Sequence, residues 1–179
     1  EFRIKRLWDQ NRRAGTSPEH YPYGAEYTTP EDILAIERDS VEASHGTHVT
    51  NIAAGSDTGS PYYGVARGAD LVLVSTSLKD QEVLDGVKYI ADYARQEGKP
   101  CVINMSFGGQ IGPHDGTTDF DRAMDQLVGK GKIVVGAVGN DADTPVHLEK
   151  IFRTERDTLR FLLSPRSDVF LLYMLGGNE

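Results

Sequence analysis

Apolar and polar residues alternate briefly at the start of the chain, then give way to compact apolar runs separated by helical stripes. Phe2-Arg3-Ile4 alternates before the pattern loses register, which predicts a short strand over "FRIKRLW". The following residues, 9–27, are rich in Gly, Pro, Asn and Tyr and predict a long surface excursion. A short helix is expected from Thr29, a fit N-cap, with Pro30 in the first helical position and acids in the first turn. A second helix is expected over 44–56, "SHGTHVTNIAAGS", with Ser44 as its cap.

"ADLVLVST", residues 69–76, is a run of Leu and Val fit for a buried parallel strand. From Gln81 to Gln96 the apolar positions Val83, Leu84, Val87, Ile90, Ala91 and Ala94 form a helical stripe, ended by Gly98 and Pro100. "CVINMSF" predicts another buried strand, "GGQIGPHDGT" a loop, "TDFDRAMDQLVGKG" a helix closed by Gly129 or Gly131, and "KIVVGAVG" a third buried strand. Strands and helices in strict alternation imply an α/β fold, a parallel sheet with helices on both faces. Active sites on such sheets gather at the carboxyl ends of the strands, here Ser75–Ser77, Ser106–Gly109 and Gly139–Asn140. Beyond Asp143 the helical stripes cease and short β-rich runs alternate with turns. This divides the chain into an α/β unit over 1–143 and a β-rich segment over 144–179, expected to be part of an insertion.

Composition narrows the possible partners. The formal net charge of −8 disfavours nucleic acid, whose phosphates attract a basic face. No apolar stretch reaches the length of a membrane span, about 18 residues. Cys101 is the one cysteine, so no intrachain disulfide forms, and its apolar neighbours mark it as a small buried hydrophobe rather than a reactive thiol. The chain opens without methionine and closes abruptly, so it is expected to be cut from a longer protein. Composition leaves the oligomeric state open.

Three places carry residues suited to chemistry. His45, at a helix N-terminus, is a candidate general base, because the helix dipole disfavours the imidazolium. The alternative is a hydrogen-bonded structural histidine. His48 precedes Ile52 by one turn and is expected to be buried and structural. A zinc site would need further ligands, and "HGTH" lacks the spacing and the glutamate of the H-E-x-x-H helix, so no metal is assigned. Ser106, Phe107, Gly108 and Gly109 end a strand with little side chain in the way, which suits pairing with an extended peptide; a plain βα turn would use the same glycines. "GGQIGPHDG" matches no phosphate-binding loop. Asn104-Met105-Ser106 fits the glycosylation pattern formally, in a strand expected to be buried. Asn140, after a glycine at a strand tip, is placed to donate to a developing oxyanion, though Gly-Asn is also ordinary turn chemistry.

Taken together, "SHGTHVTNIAAG", "GVARGADLVLV", "VINMSFGG" and "VVGAVGN" resemble the subtilisin-like serine proteases, the subtilases, from about His45 to Asn140. The resemblance implies that His45 is the general base and that Asn140 is the oxyanion donor. It also implies that Ser106–Gly109 form the strand that binds substrate backbone, with Phe107 as an aromatic wall, and that Ala137 and Gly139 line the pocket before the scissile bond. A polypeptide is the implied substrate, with no cofactor, and export to the cell envelope or beyond is the family default.

The family's acid lies in Asp-Ser/Thr-Gly after an apolar strand, and no such triplet precedes His45. Asp9 stands at a strand end, but Gln10 and Asn11 do not match. No Gly-Thr-Ser follows Asn140 to supply the nucleophile. The chain therefore resembles an internal slice of a larger bacterial subtilase with an inserted β unit. Its acid and serine are expected outside these residues, and it is expected to be inactive alone. The alternative is a catalytically dead subtilase-like module that binds peptides or regulates.

Overall fold

The strand β1, Ile4–Asp9, ends in the two most enclosed large side chains of the fold: Trp8 and Asp9 have no solvent exposure at all. The computed structural model describes residues 2–160, apart from 42, 58, 145, 147, 149, 152 and 155. After β1 come β2 (Ala25–Tyr27), α1 (Pro30–Ala35), α2 (His45–Ala54), β3 (Leu71–Ser75), α3 (Asp80–Gln96), β4 (Cys101–Met105), α4 (Asp119–Leu127) and β5 (Lys132–Gly136). Parallel pairing joins β1 to β3 and β4 to β5, which is the expected α/β arrangement.

One strand was not foreseen. The end of the 9–27 excursion, β2, returns antiparallel to β1, with Asp9 opposite Ala25 and Leu7 opposite Tyr27. Its tyrosines explain why it stays there. Trp8 packs against Tyr21, Tyr23 and Tyr89 at ring separations of 4.7, 5.3 and 5.1 Å. Each such pair contributes about 0.5–1.5 kcal/mol beyond area burial. The Tyr23 hydroxyl donates to Asp85 Oδ2 at 2.7 Å, and the Tyr89 hydroxyl to Glu26 Oε1 at 2.6 Å. These bonds tie the excursion to α3.

The helices start and stop where their residues dictate. Thr29 caps α1 by accepting from Asp32 N, and Thr118 forms a reciprocal capping box with Asp121 at α4. Ser44 departs from expectation. Its backbone is already helical (φ −87°, ψ −6°), so its carbonyl receives His48 N but its hydroxyl makes no cap bond.

α3 carries the core. Val87 and Ala91 meet Ile103 of β4, with Ile90, Cys101, Met105, Met124, Leu127 and Val134 packed around them. Only one side of the β4–β5 pair is covered this way. Val102 opposite Ile133, and Asn104 opposite Val135, lie on the other face and are exposed. β4 and β5 were expected to be wholly buried; among the described residues the α3–α4 layer covers one face, which makes them half-buried instead. The exposure of Asn104 also removes burial as the reason to discount the Asn104-Met105-Ser106 pattern; its Nδ2 donates to Ser106 Oγ at 2.9 Å. Of the described residues after Thr144, none lies in a helix or strand. The β-rich runs expected over 161–179 fall outside the described residues.

Candidate active site

The carboxyl ends of β4 and β5 carry two of the sequence-predicted groups, and the register of the strands brings them side by side. Met105 pairs with Gly136, and Ala137 N donates to Met105 O at 3.1 Å, so Ser106–Gly109 and Ala137–Asn140 leave the sheet as neighbours. Gly108 lies close enough that a Cβ there would come within 3.9 Å of Ala137 O. A second tie crosses between the loops, Gln110 Nε2 donating to Asp141 Oδ2 at 2.9 Å. Gly139 has φ +103°, a conformation side chains rarely adopt, so glycine is needed to turn the chain and present Asn140. Asn140 is exposed, and Ser106 and Phe107 are half-buried against the strand end. The two strand ends thus place the small residues Ser106, Gly108 and Gly109 beside Ala137–Asn140.

His45 is the first residue of α2, as expected, and is exposed to solvent. Among the described residues its side chain has no hydrogen-bond or ion-pair partner. His48 is exposed as well, contrary to the expectation of a buried structural histidine. The reason is that α2 buries only Ala54, so its histidine turn has no layer above it among the described residues. The described residues hold no cluster of three or more His, Cys, Asp or Glu side chains that could bind a metal. Cys101 is partly buried, and desolvation holds its thiol above the ordinary cysteine range.

The end of β1 carries the enclosed Asp9 carboxylate. Asp9 faces Ser75 across the parallel pairing of β1 with β3, whose continuation is Gln10 N donating to Ser75 O at 2.9 Å. Fully buried, its carboxylate is held by four donors. Oδ2 accepts from Ser40 N and Ser40 Oγ, both at 2.7 Å, and from Arg12 Nε at 3.3 Å; Oδ1 accepts from Asn11 N at 3.2 Å. Arg12 also donates to Arg38 O at 3.0 Å, which draws the segment leading to α2 against the strand end. Near this strand end the buried polar atoms Gln10 Oε1, Asn11 Nδ2 and Ser75 Oγ have no hydrogen-bond partner among the described residues. The sequence signal was an acid directly after an apolar strand. It was discounted because Gln10-Asn11 is not Ser/Thr-Gly. A surface cavity of about 490 Å³ opens beside this strand end, lined by Gln10, Asn11, Arg12, Arg13, Tyr23 and Glu82 among others, and none of the sequence-predicted site residues borders it.

Parallel strands joined through helices, with Ser106–Gly109 and Ala137–Asn140 side by side at their carboxyl ends, are the α/β arrangement of the subtilisin-like fold. A model of the subtilase family matches residues 20–154. The chain belongs to the subtilase family. It is 32% identical over 134 residues to subtilisin-like protease 3 of Pseudogymnoascus destructans, covering 71% of this chain and 31% of that protein. To the major intracellular serine protease of Bacillus subtilis it is 31% identical over 113 residues, 60% of this chain and 33% of the relative. The fold matches that of the CspB protease of Clostridium perfringens with a TM-score of 0.64 at 24% identity, over 78% of this chain and 31% of that one. The chain thus spans about a third of the length of these relatives. Relatives in the family are serine proteases by name, and one of them is named as intracellular.

Proposed function

We propose that this chain is part of a serine endopeptidase that cleaves polypeptides by acyl transfer. The observation that carries the reading is the juxtaposition of Ser106–Gly109 with Ala137–Asn140 at the carboxyl ends of β4 and β5. An extended peptide laid along Ser106–Gly109 would present its carbonyl toward Asn140. A serine supplied from outside these 179 residues attacks that carbonyl carbon while His45 takes its proton. Asn140 donates to the resulting oxyanion. Collapse of the tetrahedral adduct breaks the peptide bond, and His45 returns the proton to the departing amine. Water then releases the acyl group by the same steps. Ala137 and Gly139 line the pocket for the side chain before the scissile bond, and Phe107 gives it an aromatic wall.

For the acid that orients His45, we propose Asp9 instead of an upstream residue. What supports it is its place: full burial at the carboxyl end of a parallel strand, with donors that fix its carboxylate. Residues from 144 onward belong, in this reading, to an inserted β unit. Action outside the cell or in its envelope is the companion proposal.

The test is hydrolysis of a peptide substrate by the intact protease with Asn140→Ala. Loss of one oxyanion donor lowers kcat by about 10²–10³ with KM little changed. An unchanged kcat removes Asn140 from the role. A second reading, an inactive subtilase-like peptide-binding module, is favoured by one observation: among the described residues the His45 side chain has no hydrogen-bond or ion-pair partner, while Ser40 and Arg12 already occupy the Asp9 carboxylate. Peptide binding at Ser106–Gly109 without turnover is its signature.

A further inference from the structure

A carboxylate has about four lone-pair positions, two on each oxygen. At Asp9 they are unequally used. Oδ2 receives three donors, Ser40 N, Ser40 Oγ and Arg12 Nε, more than its two positions, whereas among the described residues Oδ1 receives Asn11 N alone and keeps one acceptor position. Arg12 and Asn11 lie in the turn directly after β1, and Ser40 comes from 31 positions further along the chain. Ser40 also stands five positions ahead of His45, so the residue that grips the carboxylate is tethered to the helix that begins with the histidine.

We infer that Ser40 and Arg12 are positioning residues: they pin Oδ2 of Asp9 and so leave Oδ1 aimed to accept the imidazole N–H of His45. The inference rests on the proposed role of Asp9 and adds the device that orients it. In this chain the residues after the acid are Gln10 and Asn11, neither of which donates a side-chain hydrogen bond to the carboxylate. Gln10 reaches away, its Nε2 donating to Glu82 O at 2.8 Å, and Asn11 contributes its backbone N–H. The orienting donors are therefore supplied by Arg12 and by the distant Ser40. Two hydrogen bonds from the one residue Ser40, backbone and hydroxyl, fix both the distance and the rotation of the carboxylate. Arg12 adds a charge-assisted bond and, through Arg38 O, ties down the same approach segment. Loosening the pair leaves the acid in place but lets it rotate, which affects the transition state more than substrate binding.

The experiment compares the intact protease carrying Asp9→Asn, Ser40→Ala, Ser40→Thr, Arg12→Gln and Arg12→Lys, by steady-state hydrolysis of one peptide substrate. Trp8 fluorescence and circular dichroism report folding. Asp9→Asn is expected to reduce kcat by roughly 10⁴, as loss of the orienting acid does in triads of this kind. Ser40→Ala is expected to lower kcat about tenfold with KM within twofold, since small misplacements of catalytic groups carry costs of this order. Ser40→Thr, which keeps the hydroxyl, restores most of that loss, and Arg12→Lys restores part of the loss seen in Arg12→Gln. Should Ser40→Ala not fold, the Arg12 pair makes the same comparison. A collapse in Asp9→Asn with kcat unmoved in folded Ser40→Ala and Arg12→Gln overturns the clamp while leaving Asp9 as the acid. Full activity in Asp9→Asn overturns the assignment of the acid, and the clamp with it. Parallel loss of kcat and rise of KM, unrescued by Thr or Lys, marks Ser40 and Arg12 as merely structural and also refutes the inference.

Discussion

Gly24 is where the excursion closes over the strand that ends in Asp9, and replacing it by alanine tests that packing directly. Its φ is +77°, a left-handed conformation that costs an L-residue about 1–2 kcal/mol. A Cβ at this position would come within 2.4 Å of Trp8 Nε1, 2.8 Å of Asp9 O and 2.9 Å of Gln10 Cα. Two of these three atoms are backbone, so relief requires the strand end to move, and overpacking of this sort costs about 1–3 kcal/mol more. The sum is about 2–5 kcal/mol, a large share of the stability of an ordinary domain. Gly98→Ala supplies the control. Its φ is +65° but a Cβ there meets nothing within 4 Å, so the backbone cost of about 1–2 kcal/mol stands alone. Urea unfolding can be followed by Trp8, the one tryptophan of the chain and fully enclosed. With a slope of about 2 kcal/mol per molar, Gly24→Ala lowers the midpoint by about 1–2.5 M and Gly98→Ala by about 0.5–1 M. Equal losses in the two variants would refute the reasoning, because the contacts of Gly24 with β1 would then contribute nothing.

Two further outcomes follow from groups outside the candidate site. Burial and hydrogen bonds to Asp85 and Glu26 raise the phenols of Tyr23 and Tyr89 above the ordinary tyrosine range. A folded-state pKa above the unfolded value of about 10 gives stability that is complete below pH 10 and lost as pH rises beyond it. Absorbance at 295 nm should therefore show these two tyrosines ionising together with unfolding; their titration near pH 10 in the folded chain would contradict the packing of the excursion on α3. Cys101, whose thiol burial raises, should react with a disulfide reagent at pH 8 more slowly than a free cysteine and at the ordinary rate once unfolded. Equal rates in the folded and unfolded chain would remove Cys101 from the core.

Much of the fold was legible because its signals are local. The stripe from Val83 to Ala94, the caps Thr29 and Thr118 and the Leu-Val run of β3 each decide their element within a few positions. The misread features depend on distant partners. β2 exists because Trp8 and α3 hold tyrosines of the excursion, which no local pattern of Gly, Pro and Tyr reveals. The sidedness of β4 and β5 depends on which layers cover them, and Val102 and Val135 read the same whether covered or bare. In the candidate site, the glycine of "VGN" is one that the backbone demands, since Gly139 takes a positive φ; Gly108 and Gly109 of "SFGG" do not. The surroundings of Asp9, the acid proposed here, are not legible locally, because its side-chain donors come from Arg12 and from Ser40, 31 positions away, rather than from the next residue. Exposure of His48 was missed for the same reason as the bare strand faces: burial is a property of the neighbours.

The central claim, that His45 serves an acyl-transfer site, is tested most directly by a fluorophosphonate probe, which marks only a serine activated as a nucleophile. The probe is applied to the intact protease and to its His45→Ala variant, both confirmed as folded by circular dichroism. The account predicts stoichiometric labelling of the intact protease that collapses in His45→Ala. A folded protease that takes up no label, or one whose labelling is indifferent to His45, would contradict it.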